Sequence, residues 1–160
     1  MISLPLAFLR TITDAAETAY PTECCGLLVG REDGAGSLIV TRIVESRNLA
    51  DPGRNDRFEI DPQIRFDVMR ELGSDAAPDS HRHRIIGHYH SHPDHPAQPS
   101  ETDLSFAFEP DLVWLITAVI GGQAIQTTAH VVDSGGRQFR EIPLRTTDWQ
   151  PYHVRDTHQP

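Results

Sequence analysis

The stretch "GHYHSHPDHPAQPSETD", residues 87–103, governs how the rest of the chain is read. It packs four of the nine histidines, His88, His90, His92 and His95, into eight positions. With "RII" before it, the apolar and alternating pattern predicts a strand over residues 84–92. A strand sends alternate side chains to opposite faces, so His88, His90 and His92 share one face and Tyr89 and Ser91 the other. Two imidazoles at i and i+2 on a rigid strand are placed to grip one zinc ion. The third protein ligand is then either His88 or a carboxylate from downstream. A lone histidine is more often a packed or solvated group, but this density, followed by prolines and acids, favours a metal. His81, His83, His130, His153 and His158 stand apart and read as ordinary histidines.

The downstream acids are Asp94, Glu101 and Asp103. Asp94 is too near the strand end to fold back without distorting it. "PDHPAQP" holds three prolines in seven residues and excludes regular structure, and "SETDLSFAF" then starts a short helix. Ser100 and Asp103, three apart, fall on one face of its first turn. S-x-x-D is also a capping box, and taken alone that is the commoner use. The His-x-His before it shifts the balance toward a ligand.

Working outward, residues 5–20 predict a helix, with Pro5 in its first turn and Pro21 as its stop. "ECCGLLVG" (23–30) and "SLIVTRIVE" (37–45) form a hairpin about "REDGAG". "SRNLADPGRNDR" is a loop, and Asp61-Pro62 opens a helix to Leu72 that buries Ile64, Val68 and Leu72 and ends at Gly73. "SDAAPDSHRH" is a polar loop. "DLVWLITAVI" is a central strand, turned by "GGQ" into "AIQTTAHVV" and by "DSGGR" into "QFREIPL". One α/β domain over residues 1–145 is expected, with residues 146–160 a flexible tail.

At 160 residues the chain is long enough for one proper core. A net charge of −9 argues against non-specific nucleic-acid binding, which needs a basic surface. No apolar run reaches the ~20 residues of a membrane span, and "MISLPLAFLR" does not read as a signal peptide, so a cytoplasmic location is expected. The only cysteines, Cys24 and Cys25, are adjacent, offer no disulfide framework, and read as small buried residues.

His90-Ser91-His92-Pro93, ten residues from Pro93 to Thr102, then Asp103 with Ser100 three before it, resembles the signature of the JAMM (MPN-plus) metalloproteases. Upstream, "PTECCGLLVG" is similar to that family's first core strand, whose glutamate is the catalytic base, and Glu23 matches that position. "RFEIDP" (57–62) is similar to the bacterial branch. The likeness runs in element order over residues 5–135.

The resemblance implies a mixed β-sheet flanked by helices, similar to the cytidine-deaminase fold. It implies Zn2+ held by His90, His92 and Asp103 with water in the fourth place, Glu23 as base and Ser100 as a donor to the oxyanion. The deaminases themselves need H-x-E and P-C-x-x-C, which are absent, and a cupin needs a glutamate at a set distance after His-x-His. His88 stands where the family commonly has a bulky apolar residue, which leaves a three-histidine zinc lyase or small-molecule hydrolase open. A non-catalytic MPN-type scaffold is the third class, but such scaffolds usually lack some of the five residues present here. The expected substrate is the C-terminus of a ubiquitin-like sulfur-carrier protein, cut after Gly-Gly to release cysteine or to process the carrier. No nucleic-acid or membrane partner is expected, and a homodimer is allowed.

Overall fold

A mixed sheet of eight strands carries the histidine stretch at its centre, in a computed structural model that describes residues 1–73, 82–135 and 138–148. The elements run β1 (Ile2–Pro5), α1 (Leu6–Ala19), β2 (Cys25–Glu32), β3 (Leu38–Ser46), α2 (Pro62–Leu72), β4 (Arg84–Pro93), α3 (Glu101–Ser105), β5 (Val113–Ile120), β6 (Gln123–Val132), β7 (Phe139–Ile142) and β8 (Leu144–Thr147). Their order in the sheet is β7-β6-β5-β4-β2-β3-β1-β8. β4 pairs antiparallel with β2 and parallel with β5, so it is flanked on both edges, and it is buried from Ile86 to Pro93. Gly87 permits that fit: a Cβ there would lie 2.2 Å from the Val113 carbonyl oxygen of β5.

The two sides of β4 do different work. Tyr89 joins Leu28, Leu115 and Val119 in the main core, against Ile12 and Ala16 of α1. α1 itself packs on β1, β4, β5, β6 and β8. On the α2 side, Ile64, Val68 and Leu72 cover Leu27 and Val29 of β2, the face the spacing predicts. Asp61 caps α2 by accepting from the Gln63 amide at 2.9 Å, and Gly73, at φ 60°, ends it through a bond to the Met69 carbonyl.

Several boundaries differ from expectation. Pro5 caps α1 rather than lying inside it, and the residues before it form β1, too short to show a period. β2 begins at Cys25, so Glu23 and Cys24 precede the strand. "QFREIPL" is not one strand: Pro143 divides β7, paired with β6, from β8, paired with β1. The tail expected from Thr146 therefore starts too early, because Thr146 and Thr147 pair with Leu4 and Pro5. The loop over 74–81, residues 136–137 of the "DSGGR" turn and the tail from 149 lie outside the described residues, as do His81, His153 and His158. Among the described residues no helix is long and apolar enough to cross a membrane.

Candidate metal centre

Strand alternation puts His88, His90 and His92 on the α2 side of β4, away from Tyr89 and the main core. Cys25 pairs with His90 and Gly26 with Tyr89. Continuing that register by two residues sets Glu23 across from His92. The amide of Cys24 donates to Ser91 Oγ at 2.8 Å and the Ser91 amide to the Cys24 carbonyl at 3.1 Å, which fixes the backbone beside Glu23. Asn48 adds a second restraint: its Nδ2 donates to the carbonyls of Glu23 at 3.1 Å and Arg57 at 3.2 Å, while its Oδ1 accepts from Ala50 and Glu59.

His90, His92 and Asp103 form a buried cluster in which one donor atom from each lies within 4.8 Å of the others. His90 Nε2 is 3.0 Å from His92 Nε2 and 3.3 Å from Asp103 Oδ1, and His92 Nε2 is 3.3 Å from Asp103 Oδ2. A tetrahedral zinc ion with bonds of ~2 Å holds its ligands ~3.3 Å apart, so the spacing fits. Two imidazoles and one carboxylate are a zinc donor set that leaves a fourth position open. His88 is outside this cluster. Its ring centroid is 6.1 Å from that of His90 and 4.1 Å from Trp114, edge to face, so the three-histidine arrangement is not the one that the fold builds.

Each ligand is oriented from outside. His92 Nδ1 lies 2.9 Å from the Pro96 carbonyl, which only accepts, so Nδ1 carries the proton and Nε2 offers its lone pair to a metal. Phe58 stacks on His90 at 4.3 Å and 20°, although His90 Nδ1 itself has no hydrogen-bond partner among the described residues. Asp103 Oδ2 accepts from the Ser100 amide at 2.6 Å and the Ser100 hydroxyl at 2.8 Å, and the Asp103 amide donates to Ser100 Oγ at 3.0 Å. The two readings of S-x-x-D are thus both true. The capping box of α3 is the device that aims the carboxylate, and Oδ1 still faces His90.

The electrostatics follow from burial. Burial alone would raise the Asp103 carboxyl, but the adjoining imidazoles of His90 and His92, with the Ser100 amide, outweigh it and hold the group well below the usual carboxylate range. Burial lowers His90, and lowers His88 to about 3, so neither is protonated near neutrality. Glu23 is 5% exposed, and its Oε2 is buried with no partner among the described residues. Burial first, then the negative charges of Asp103 and Asp56, push its carboxyl up to about 9. A divalent cation nearby opposes both causes. Burial pushes the Cys24 and Cys25 thiols up to about 11 and about 12, the behaviour of inert core cysteines.

Two clefts meet at the cluster. One, of about 480 Å³, is lined by Glu23, Asp56, His92, His95, Pro96 and Ser100. The other, of about 680 Å³, is lined by Phe58, Arg65, His88, Asp103, Phe106 and Trp114. The five residues of the sequence motif are therefore brought together. Phe58, Asn48 and the Pro96 carbonyl complete the site and were not expected. Only "RFEIDP", which contains Phe58, marked that loop in the sequence.

Residues 5–132 match the family of prokaryotic homologues of the JAB domain. A curated relative, a desampylase of Haloferax volcanii, is 34% identical over 124 residues, 78% of each chain. The solution structure of a Desulfitobacterium hafniense protein superimposes with a TM-score of 0.75 at 29% identity, over 96% of this chain and 97% of that one. A JAB1/MPN domain protein of Archaeoglobus fulgidus, 21% identical, shares the fold, with a TM-score of 0.51 over 91% of this chain and 94% of the other.

Proposed function

Because the chain belongs to the family of prokaryotic JAB-domain homologues, the JAMM hydrolases, we propose that it is a zinc peptidase that cuts after the C-terminal Gly-Gly of a ubiquitin-like sulfur-carrier protein. The observation that carries this is the pairing of the His90, His92 and Asp103 cluster with Glu23, whose buried Oε2 has no partner among the described residues. Likeness to a desampylase supports an enzyme over a scaffold and a ubiquitin-like partner over a small molecule.

His90, His92 and Asp103 would hold the zinc, which when bound would supply a water acidified to a pKa of ~7 and a Lewis acid for the scissile carbonyl. Glu23 takes the proton of the attacking water and returns it to the leaving amine, so no covalent intermediate is needed. Ser100 is the donor to the developing oxyanion, a contact worth on the order of 3 kcal/mol. In the resting site its hydroxyl proton lies on Asp103 Oδ2, so this role requires the hydroxyl to turn. Glycines have no side chains, so a narrow passage over the metal admits Gly-Gly and rejects bulkier residues, and the body of the carrier supplies the affinity. The expected location is the cytoplasm.

The test is mass spectrometry of a ubiquitin-like carrier extended by cysteine or a short peptide beyond Gly-Gly, incubated with the zinc-loaded protein. Cleavage after the second glycine is expected. Equal cleavage of a carrier with Ala-Val in that place would turn the reading into a general peptidase.

A further inference from the structure

His88 is the one member of the alternating histidines that the metal cluster leaves out, yet it is neither at the surface nor paired. It is 8% exposed and lines the cleft of about 680 Å³, where Phe58 and Trp114 pack against its ring. Nδ1 is sealed from solvent without a partner among the described residues, which leaves Nε2 as the ring nitrogen open to the cleft. Native proteins pair nearly all their buried polar groups, and orphaned N–H groups are rarer than orphaned acceptors. The tautomer with the proton on Nε2 is therefore favoured, and it presents an unspent donor to the cleft.

The place of this donor along a substrate follows from the two clefts. Glu23, which hands a proton to the leaving amine, lines the smaller cleft, so the leaving side occupies that one. The acyl side runs the other way, past Asp103, into the cleft of His88. The rings of His90 and His88 are 6.1 Å apart. An extended chain advances ~3.3 Å per residue, so two residues cover the distance. With Gly-Gly over the metal, the residue before it stands at His88.

Resting on the peptidase reading above, we propose that this cleft receives the side chain immediately preceding Gly-Gly, and that His88 selects there an uncharged side chain carrying a hydrogen-bond acceptor. Phe58, Phe106 and Trp114 form apolar walls suited to a flat body. A carboxylate would face Asp51, Glu59, Asp103 and Glu109 of the same cleft, four acids against Arg57 and an Arg65 already paired with Glu109. An ammonium or guanidinium would offer His88 no acceptor.

The experiment uses four carriers that differ only before Gly-Gly, as two near-isosteric pairs, Asn against Leu and Tyr against Phe. Zinc-loaded wild type is expected to favour Asn and Tyr by about tenfold in kcat/KM, since a site built to hydrogen-bond rejects the analogue that lacks the group. His88→Leu should keep its zinc and erase or invert both preferences, while His88→Gln, which retains a donor, should keep part of them. Equal wild-type rates on all four overturn this inference and leave the peptidase reading standing. Cleavage of none removes both. Loss of zinc from His88→Leu would make His88 a ligand and also overturn it. If that variant does not fold, the wild-type pairs decide alone.

Discussion

Glu23 meets two opposed demands. The proposed chemistry wants a carboxylate beside the metal, while the fold encloses it with one oxygen unpartnered among the described residues and two negative neighbours. Its folded pKa, about 9, lies above the ordinary 4.5, so the fold prefers the protonated form. That contribution to stability is complete below pH 4.5 and is lost as pH rises toward about 9. Glu23→Gln, always neutral, should therefore raise the Tm of the metal-free protein at pH 8 by about 5 °C, with little gain at pH 4.5. The same variant should bind zinc and lose at least ~100-fold in kcat. A metal-free Tm that does not rise at pH 8 would refute the burial argument, and normal turnover would refute the base. Ser100 is subtler, since it both aims Asp103 and is the proposed oxyanion donor. Ser100→Ala should lower kcat by ~100-fold with KM little changed. Chelator competition separates the roles: a parallel fall in zinc affinity would assign the loss to Asp103 instead. Ser100 was legible from its place after the histidine pair, and Glu23 only through the likeness of "PTECCGLLVG" to the family's first core strand. Asn48 and Phe58 were not, since they act across a loop whose sequence gives no period, and the rivalry between cap and ligand at Asp103 dissolves only when both oxygens are seen.

At the scale of elements, the segment between β4 and α3 is the part that needs explaining, because Pro96 and Pro99 remove donors that would tie it down. β6 holds it instead. The Thr128 hydroxyl donates to the Ala97 carbonyl, His130 Nε2 lies 2.9 Å from Thr128 Oγ1, and Ala97 packs on Ile116 and Ala118 of β5. The hydroxyl spends its proton on Ala97, so His130 is the donor to it. The next carbonyl back, that of Pro96, fixes the tautomer of His92. Thr128→Val keeps the shape and removes the bond. Zinc affinity should fall by about tenfold, the scale of lost partners around metal ligands, and Thr128→Ser should recover it. Unchanged affinity in Thr128→Val would mean that the prolines alone hold the segment. The strand of histidines and the helix at Asp61-Pro62 were readable because their periods and caps are local. The role of β6 was not, because His130 and Thr128 are one strand-step apart in a run that reads as ordinary β-branched sheet and are remote in sequence from what they support.

At the scale of the molecule, the two edges of the sheet are joined by a chain connection that no period in the sequence announces. Ile142 pairs with Ala129 at one edge and Leu144 with Ile2 at the other, with Pro143 between them and its carbonyl accepting from the Ile2 amide at 3.0 Å. Two successive short strands thus reach both edges, and the sheet must curl around α1 for this to happen. β4 is the fourth strand of the eight, so the metal centre lies mid-sheet, three strands from β7 on one side and four from β8 on the other. Ile2 and Leu4 of β1 are fully buried beside a partly buried Leu144. Thr146→Pro places a ring in the edge strand paired with β1 and should lower the urea midpoint. If this connection serves stability alone, zinc affinity of the folded variant should stay within about threefold of wild type, since changes at distant sites with no shared partners are nearly independent. A tenfold or greater loss in protein that is still folded by circular dichroism would show instead that the curl of the whole sheet sets the spacing of His90 and His92. Stability unchanged by the proline would mean that β1 holds its place through β3 and α1, and that β8 only covers an edge.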